Sequence, residues 1–185
     1  SGDVFRHANH AGTSKYGGVL ALMGDDHTCE SSTTAHQSEF AMVDAMIPVM
    51  NPSGVQELLD YGLYAFALGR YAGLWTAMKC VADTMDASAS IEIDPARLVF
   101  SDPTDFEMPA GGLHIRWPDT FLAQEERLHR YKLAAAQAFA RANPLDRTVF
   151  DATDRRIGIV TTGKSYLDVR QALDEIGLDA DACAR

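Results

Sequence analysis

The sequence predicts an α/β fold in which a parallel sheet is flanked by helices. Over the first half of the chain, short apolar runs alternate with segments of helical periodicity. Continuous apolar runs of this length are typical of strands that are buried on both faces of a parallel sheet. The regular order of strand, helix and strand is the pattern of α/β proteins.

The first third of the chain contains two predicted strands and one predicted helix. Residues 1–17 are polar and rich in His and Gly, which indicates a loop. Val19–Met23 is apolar and bounded by glycines, and this predicts the first strand. Apolar side chains at helical spacing, with Ser or Thr available as a cap, predict a helix over Thr33–Ala45. The apolar segment Ile47–Met50 is the second predicted strand.

A long helix and a third strand follow. Ser53 is a favourable N-cap residue, and an apolar stripe extends from there to Gly73, a residue that commonly ends helices. The segment Leu74–Asp83 is the third predicted strand. Because parallel strands are joined by crossovers of one hand, the loops that follow these strands are expected at one edge of the sheet.

The second half of the chain is less regular. Thr84–Pro118 is rich in Ser, Asp, Pro and Gly and is predicted to be an irregular arm. Helical periodicity returns with Asp119 as the expected cap and stops at Pro144. Ile157–Val160 is then predicted to be a strand that leads into a helix, as the first unit of a second α/β domain.

Composition and charge exclude several classes of function. The chain carries 16 basic and 26 acidic residues, a net charge of −10, which disfavours nucleic acid and anionic membranes as partners. The sequence lacks an apolar run long enough to span a membrane and a signal-peptide segment at its start, which predicts a cytoplasmic protein. Three scattered cysteines suggest neither a disulfide framework nor a zinc or iron–sulfur motif.

The segment Gly24–Ser32, "GDDHTCESS", is the main candidate for a functional site. It leaves the carboxyl end of the first predicted strand, and open α/β sheets bind their ligands beyond the carboxyl ends of the strands. Three interpretations remain open from the residues alone. These are a metal site formed with His7, His10 and Asp25, a polar pocket at a helix N-terminus, and an ordinary capping sequence.

A second motif fits the pattern of a nucleotide-binding phosphate loop. The residues Gly158 to Ser165 match G-x-x-x-x-G-K-[ST] and end in Gly163-Lys164-Ser165. The first glycine of the motif falls inside the predicted strand, whereas a phosphate loop follows its strand. A plain strand-to-helix turn is therefore the preferred interpretation, and a nucleotide- or metal-binding α/β module is the alternative function.

Four long blocks of the sequence are similar to a known family. Residues 1–40, 47–75, 111–133 and 157–173 resemble, in order, the large fused indolepyruvate ferredoxin oxidoreductases of the 2-oxoacid:ferredoxin oxidoreductase superfamily. By this resemblance, residues 1–97 correspond to the later part of a thiamin pyrimidine-side α/β domain. Residues 98–150 form a connecting arm and long helix, and residues 151–185 begin a domain similar to the transketolase C-terminal domain.

The resemblance implies a specific activity. Members of this family oxidatively decarboxylate indolepyruvate and other aryl 2-oxoacids to the acyl-CoA with thiamin diphosphate, and they pass electrons through iron–sulfur clusters to ferredoxin. The loop after the first strand is expected to border the cofactor and substrate cleft. The residues expected there as cofactor-positioning groups, rather than as catalytic or metal-binding groups, are Asp25, Asp26, His27, Ser31 and Ser32, with His10 and Thr13 from the preceding loop.

The resemblance also predicts that the chain is an internal fragment. The pyrimidine-binding glutamate, the magnesium diphosphate motif and the cluster cysteines of the family correspond to no residue of this sequence. We therefore expect other parts of the enzyme to bind magnesium and the clusters, and the chain alone to be inactive. A homo-oligomer is expected, with aryl 2-oxoacid, CoA and ferredoxin as partners of the intact enzyme.

Overall fold

A computed structural model describes residues 2–183, and Ser1, Ala184 and Arg185 lie outside the described residues. A three-stranded parallel sheet forms the centre of the fold, in the order β1-β3-β2. The strands are β1 (Leu20–Asp25), β2 (Val49–Met50) and β3 (Thr76–Val81). In the register of β1 and β3, the first residues of the two strands are opposite each other, and so are the last, Asp25 and Val81. The predicted parallel α/β architecture is confirmed.

Helix α3 (Val55–Ala72) covers one face of the sheet. It ends as predicted at Gly73, whose φ of 68° is left-handed and whose added Cβ would lie 2.5 Å from the carbonyl oxygen of Leu113. The prediction that Ser53 is the N-cap of α3 is wrong. Gly54 occupies the cap position, and Ser53 instead donates its N–H and hydroxyl to the Glu57 carboxylate, each at 2.7 Å.

The opposite face of the sheet packs against a much shorter helix than the sequence predicts. Helix α2 is Glu39–Asp44, whereas the spacing predicts a helix over Thr33–Ala45. The side chains of Asp25 and Asp26 bind backbone N–H groups between residues 30 and 38, so this segment forms a loop instead. The core on this face is made by Met23, Met42, Ala45, Ile47 and Ala77.

The predicted loop at the start of the chain is wrong, because residues Gly2–Ala11 form helix α1. Its position is fixed by Asn9, which is completely buried. The Asn9 amide donates to the carbonyls of Ala45 and Met46 at 2.9 Å, and its oxygen accepts from the backbone N–H of Trp75 at 3.0 Å. These three partners are distant in the sequence, so local patterns gave little sign of the helix.

The long helix predicted between Asp119 and Pro144 is confirmed as three consecutive segments. These are α5 (Phe121–Arg127), a π-helical turn (Leu128–Lys132) and α6 (Leu133–Ala142), and α6 packs against α3. Thr120 rather than Asp119 is the N-cap, because its hydroxyl accepts from the N–H of Ala123 at 3.3 Å. Asp119 instead pairs with Arg127 through two hydrogen bonds of 2.8 and 3.0 Å.

The strand predicted over Ile157–Val160 is wrong. The segment has no strand partner within residues 2–183, and Ile157 and Val160 are 86% and 101% exposed. The following helix is confirmed as α7 (Lys164–Glu175). Two short helices complete the fold, α4 (Ala82–Met85) after β3 and α8 (Ala180–Cys183) after α7.

Within residues 2–183, no helix has the length and apolar character needed to cross a membrane.

Candidate functional site

The candidate site lies where β1 ends and the chain turns toward α2. We call residues 25–39 the β1 corner. The sheet register places its first residue, Asp25, opposite Val81, so the corner lies at the carboxyl edge of the sheet. The loop is closed on itself by a backbone bridge between Asp26 and His36, in which the His36 N–H donates to the Asp26 carbonyl at 3.2 Å.

Asp26 organises the first half of the β1 corner. Its carboxylate accepts the backbone N–H groups of Glu30, Ser31 and Ser32 at 2.9, 2.9 and 2.8 Å. These three hydrogen bonds stabilise the ionised form and hold the pKa of Asp26 well below its ordinary value. Asp26 is therefore an anion that fixes the loop backbone, and at neutral pH it has no proton to donate.

Asp25 points to the other side of the strand and fixes the second half of the loop. It is buried, with 5% of its surface exposed, and it accepts the N–H and the hydroxyl of Ser38 at 3.1 and 2.6 Å. Adjacent residues of an extended strand project to opposite faces, so Asp25 and Asp26 bind separate parts of the loop. The two carboxylates therefore do not converge on one point where they could bind a common ligand.

A partly buried ion pair lies beside the corner. Lys79 of β3 has only 10% of its side chain exposed and pairs with one carboxylate oxygen of Glu39, the first residue of α2. The second oxygen, Glu39 Oε2, is buried and has no hydrogen-bond partner within the described residues. A buried acceptor without a donor is uncommon, and such a position is suited to a ligand or a neighbouring segment that supplies one.

Sequence reasoning missed Lys79 and Ser38. Lys79 is the single charged residue in the otherwise uncharged segment Leu74–Val81, and this was the available signal. A charge in a buried strand requires a partner, and the partner here is Glu39. Ser38 gave no comparable signal, because serines are common in loops that precede helices.

The other predicted residues of the corner are accessible. His27 and Ser31 are exposed, and Ser32 is half-buried. The Ser31 hydroxyl lies 3.5 Å from an Asp26 oxygen, at the limit of a hydrogen bond. Cys29, between these residues, is exposed and has a positive φ of 57°, which indicates a tight turn in the loop. These side chains are free to meet a ligand from solvent.

His10 and Thr13 do not join the β1 corner. Thr13 is buried and donates its hydroxyl to the Gly69 carbonyl at 3.2 Å, and its N–H donates to the carbonyl of Gly73, just before β3 begins. The carbonyl of His10 accepts from Lys132 at 3.1 Å, and partial burial lowers the pKa of the imidazole. Both residues therefore lie toward the amino edge of the sheet.

The alternative sites are not assembled by the fold. Among residues 2–183, no group of three or more His, Cys, Asp or Glu side chains is placed to hold a metal ion. His7 instead lies against the Phe121 ring, with the ring centroids 5.7 Å apart. The phosphate-loop pattern does not follow a strand, and Lys164 pairs with Asp168 at 2.6 Å rather than reaching over the loop.

Comparisons with known proteins identify relatives of the chain. Residues 147–185 match the family model described as "Indolepyruvate oxidoreductase domain". The chain is also 25% identical over 171 residues to the indolepyruvate oxidoreductase subunit IorA of Archaeoglobus fulgidus, an alignment that covers 88% of this chain and 26% of that protein. The chain is therefore similar to indolepyruvate oxidoreductases. This confirms the resemblance drawn from the sequence blocks at the level of indolepyruvate oxidoreductases.

Two further relatives with the same name extend the similarity. The IorA subunit of Pyrococcus abyssi is 25% identical over 189 residues, which are 96% of this chain and 27% of that protein. The IorA subunit of Methanothermobacter thermautotrophicus is 23% identical over 168 residues, 88% of this chain and 26% of that protein. The chain thus spans about a quarter of the length of the curated relatives it matches. No solved structure matches the chain.

Proposed function

We propose that the chain is part of an indolepyruvate oxidoreductase that uses thiamin diphosphate to decarboxylate aryl 2-oxoacids and forms the acyl-CoA with ferredoxin as electron acceptor. The observation that carries the proposal is an alignment to IorA subunits that runs through 88–96% of the chain. The relatives are named subunits, which supports assembly of this chain with further subunits or further copies of itself.

In this proposal the β1 corner borders the cleft for cofactor and substrate. The available groups, the His27 imidazole and the Ser31 and Ser32 hydroxyls, fit a polar uncharged heterocycle such as the aminopyrimidine ring. They do not fit a magnesium diphosphate, because both aspartates are engaged by the loop and no metal-binding cluster exists within residues 2–183. We therefore assign the diphosphate and its metal to other parts of the enzyme, as we do the iron–sulfur clusters.

Thiamin diphosphate, when bound, would supply the nucleophilic carbon and the electron sink that decarboxylation of a 2-oxoacid requires. The contribution of this chain is positional. Asp26 fixes the backbone of residues 30–32, and Asp25 fixes the start of α2 through Ser38. A rigid loop holds its hydroxyl and imidazole groups at a constant distance from the reacting centre, and errors of about 1 Å in such positions can cost about 100-fold in rate.

The test is Asp26→Asn in the intact enzyme. The amide retains one acceptor oxygen for three N–H donors, so the loop loosens and indolepyruvate-dependent reduction of ferredoxin should fall at least tenfold. Thermal unfolding should change little, because the loop lies outside the two hydrophobic clusters. Asp154→Asn is the matched control, since Asp154 is an exposed aspartate that pairs only with Arg156 among the described residues. Wild-type kinetics of Asp26→Asn would remove the corner from the mechanism.

The chain by itself should neither bind thiamin diphosphate tightly nor turn over indolepyruvate. Calorimetric titration of the 185-residue chain with magnesium and thiamin diphosphate tests this directly. Micromolar affinity would contradict the division of the cofactor site proposed here.

A further inference from the structure

Strand β1 forms an open edge of the central sheet. Among residues 2–183 it pairs with β3 alone, so no strand of this part of the chain takes up the hydrogen-bonding groups on its other side. The segment Gly17–Gly24 contains neither a charged residue nor a proline. Natural edge strands are usually short or carry such residues, because an uncharged edge pairs readily with a further strand.

The opposite edge of the sheet is better protected. Strand β2 is only two residues long, and Pro48 and Pro52 lie close to its ends. Asn51, which directly follows β2, donates its amide to the Thr162 hydroxyl at 3.3 Å, so a further segment of the chain lies beside the end of this strand. Of the two edges, β1 is therefore the one that is suited to accept another strand.

Apolar side chains adjoin the β1 edge on the α3 face of the sheet. Leu20 packs against the hydrophobic cluster formed by α3, and Leu22, two residues further on the same face, is 66% exposed. The ring of Phe66 lies against Gly18, which places the exposed apolar stripe of α3 on the β1 side of the helix. This stripe consists of Leu59, Leu63 and Phe66. An exposed apolar surface beside an open strand edge is typical of a protein interface.

The two ends of the β1 edge carry charges of opposite sign. Lys15 and Arg70 lie where the chain enters β1, and Arg70 is held there because it donates to the Gly17 carbonyl at 2.9 Å. Asp26 and Glu30 lie where the chain leaves β1. An antiparallel copy of β1 would bring the basic end of each chain beside the acidic end of the other, whereas a parallel copy would bring like charges together.

We propose that a second copy of this chain pairs with β1 across a two-fold axis, so that the two three-stranded sheets form one continuous sheet. The two β1 strands run antiparallel, and each Leu22 lies opposite the other. Because the axis is perpendicular to the sheet, both α3 helices lie on the same face and their apolar stripes face each other. This homodimer covers Leu22, Leu63 and Phe66 and completes the hydrogen bonding of the β1 edge. The inference does not rest on the proposed reaction.

The association of the 185-residue chain in solution tests the proposal. Sedimentation equilibrium over a range of protein concentrations should show a reversible equilibrium between monomer and dimer. Leu22→Lys places two positive charges opposite each other at the axis and should weaken the dimer at least about tenfold. Leu122→Lys, which changes a similarly exposed leucine on α5 outside the proposed interface, should dimerise like the parent chain.

A disulfide tests the register. In a background with Cys29→Ser and Cys183→Ser, Leu22→Cys should form an intermolecular disulfide in air, because directly opposed residues of antiparallel strands have Cα atoms about 4.5–5.5 Å apart. Leu122→Cys in the same background should remain free of this cross-link. A chain that stays monomeric at all concentrations, a dimer that Leu22→Lys leaves unchanged, or equal cross-linking of the two cysteine variants would overturn the proposal. The first of these results would leave the β1 edge for a strand from another part of the enzyme.

Discussion

Lys132 provides a quantitative test of how the fold buries charge. This lysine is completely buried in the π-helical turn, where its ammonium donates to the carbonyls of Asn9 and His10 at 3.3 and 3.1 Å. These carbonyls belong to the last turn of α1, which otherwise lacks partners for them. Lys132 therefore joins the C-terminal end of α1 to the long helix.

Burial, followed by the positive charge of Arg127, lowers the pKa of Lys132 to about 8. In the unfolded chain the Lys132 side chain keeps its ordinary pKa of about 10.5. Between about pH 8 and about pH 10.5, the unfolded state therefore binds more protons at Lys132 than the native state does. Stability should therefore increase as pH rises through this window. With these two pKa values, the contribution of Lys132 to the free energy of unfolding grows by about 2 kcal/mol between about pH 7 and about pH 9.5.

The assay is urea unfolding followed by circular dichroism at several pH values, for the parent chain and for Lys132→Met. Methionine cannot titrate, so the variant should lack the increase of about 2 kcal/mol. Cys80, Tyr61 and Tyr64 have raised pKa values, mainly through burial, and they destabilise the fold at high pH in both proteins. The difference between parent and variant therefore isolates Lys132.

An identical pH dependence of the two proteins would refute the reasoning. If Lys132→Met does not fold, NMR titration of the lysine side-chain carbons in the parent chain gives the same answer. A Lys132 resonance that titrates near its ordinary value, above pH 10, would show that the ammonium is hydrated rather than buried.

The remaining predictions concern the ion pair beside the β1 corner and the end of α3. Lys79→Met should lower the free energy of unfolding by about 2–3 kcal/mol because it leaves Glu39 unpaired, and the double variant with Glu39→Met should recover most of this loss in urea unfolding. No recovery would mean that the pair is not coupled. Gly73→Ala should destabilise the chain by more than about 1 kcal/mol, because of its positive φ and the close carbonyl of Leu113. Gly62→Ala, inside α3 and with open space at Cβ, should stabilise the chain by about 0.5–1 kcal/mol. Equal melting temperatures for Gly73→Ala and Gly62→Ala would contradict the inferred difference between the two glycine positions.

Local signals were sufficient for some parts of the fold. Each strand of the sheet lies within or overlaps a predicted apolar run, and α3 ends at the predicted glycine. These elements are determined by hydrophobic periodicity and by glycine conformation, which depend on neighbouring residues only. The predicted domain boundaries at 97 and 150 and the oligomeric state stay predictions.

The divergence of Asp25 and Asp26 was predictable for the same reason, whereas their role toward a cofactor stays a prediction. Adjacent aspartates at the end of a strand must point to opposite sides, so their separate roles follow from the sequence. The hydrogen-bond partners of the two aspartates do not follow from the sequence. The three N–H groups bound by Asp26 depend on the path of the following loop, and this path shortened α2 relative to its predicted length.

The sequence by itself determined the strands, the central helix and the acidic residues at the carboxyl edge, because patterns of period two or 3.6 and turn residues act over a few positions. The tertiary structure decided that residues 2–11 are helical, that Ile157–Val160 is not a strand, and that Lys79 and Lys132 are buried. It also decided that Gly163 packs against Asn51. Each of these outcomes depends on a partner more than thirty residues away, or on the lack of a strand partner within the described residues, and no local pattern contains that information.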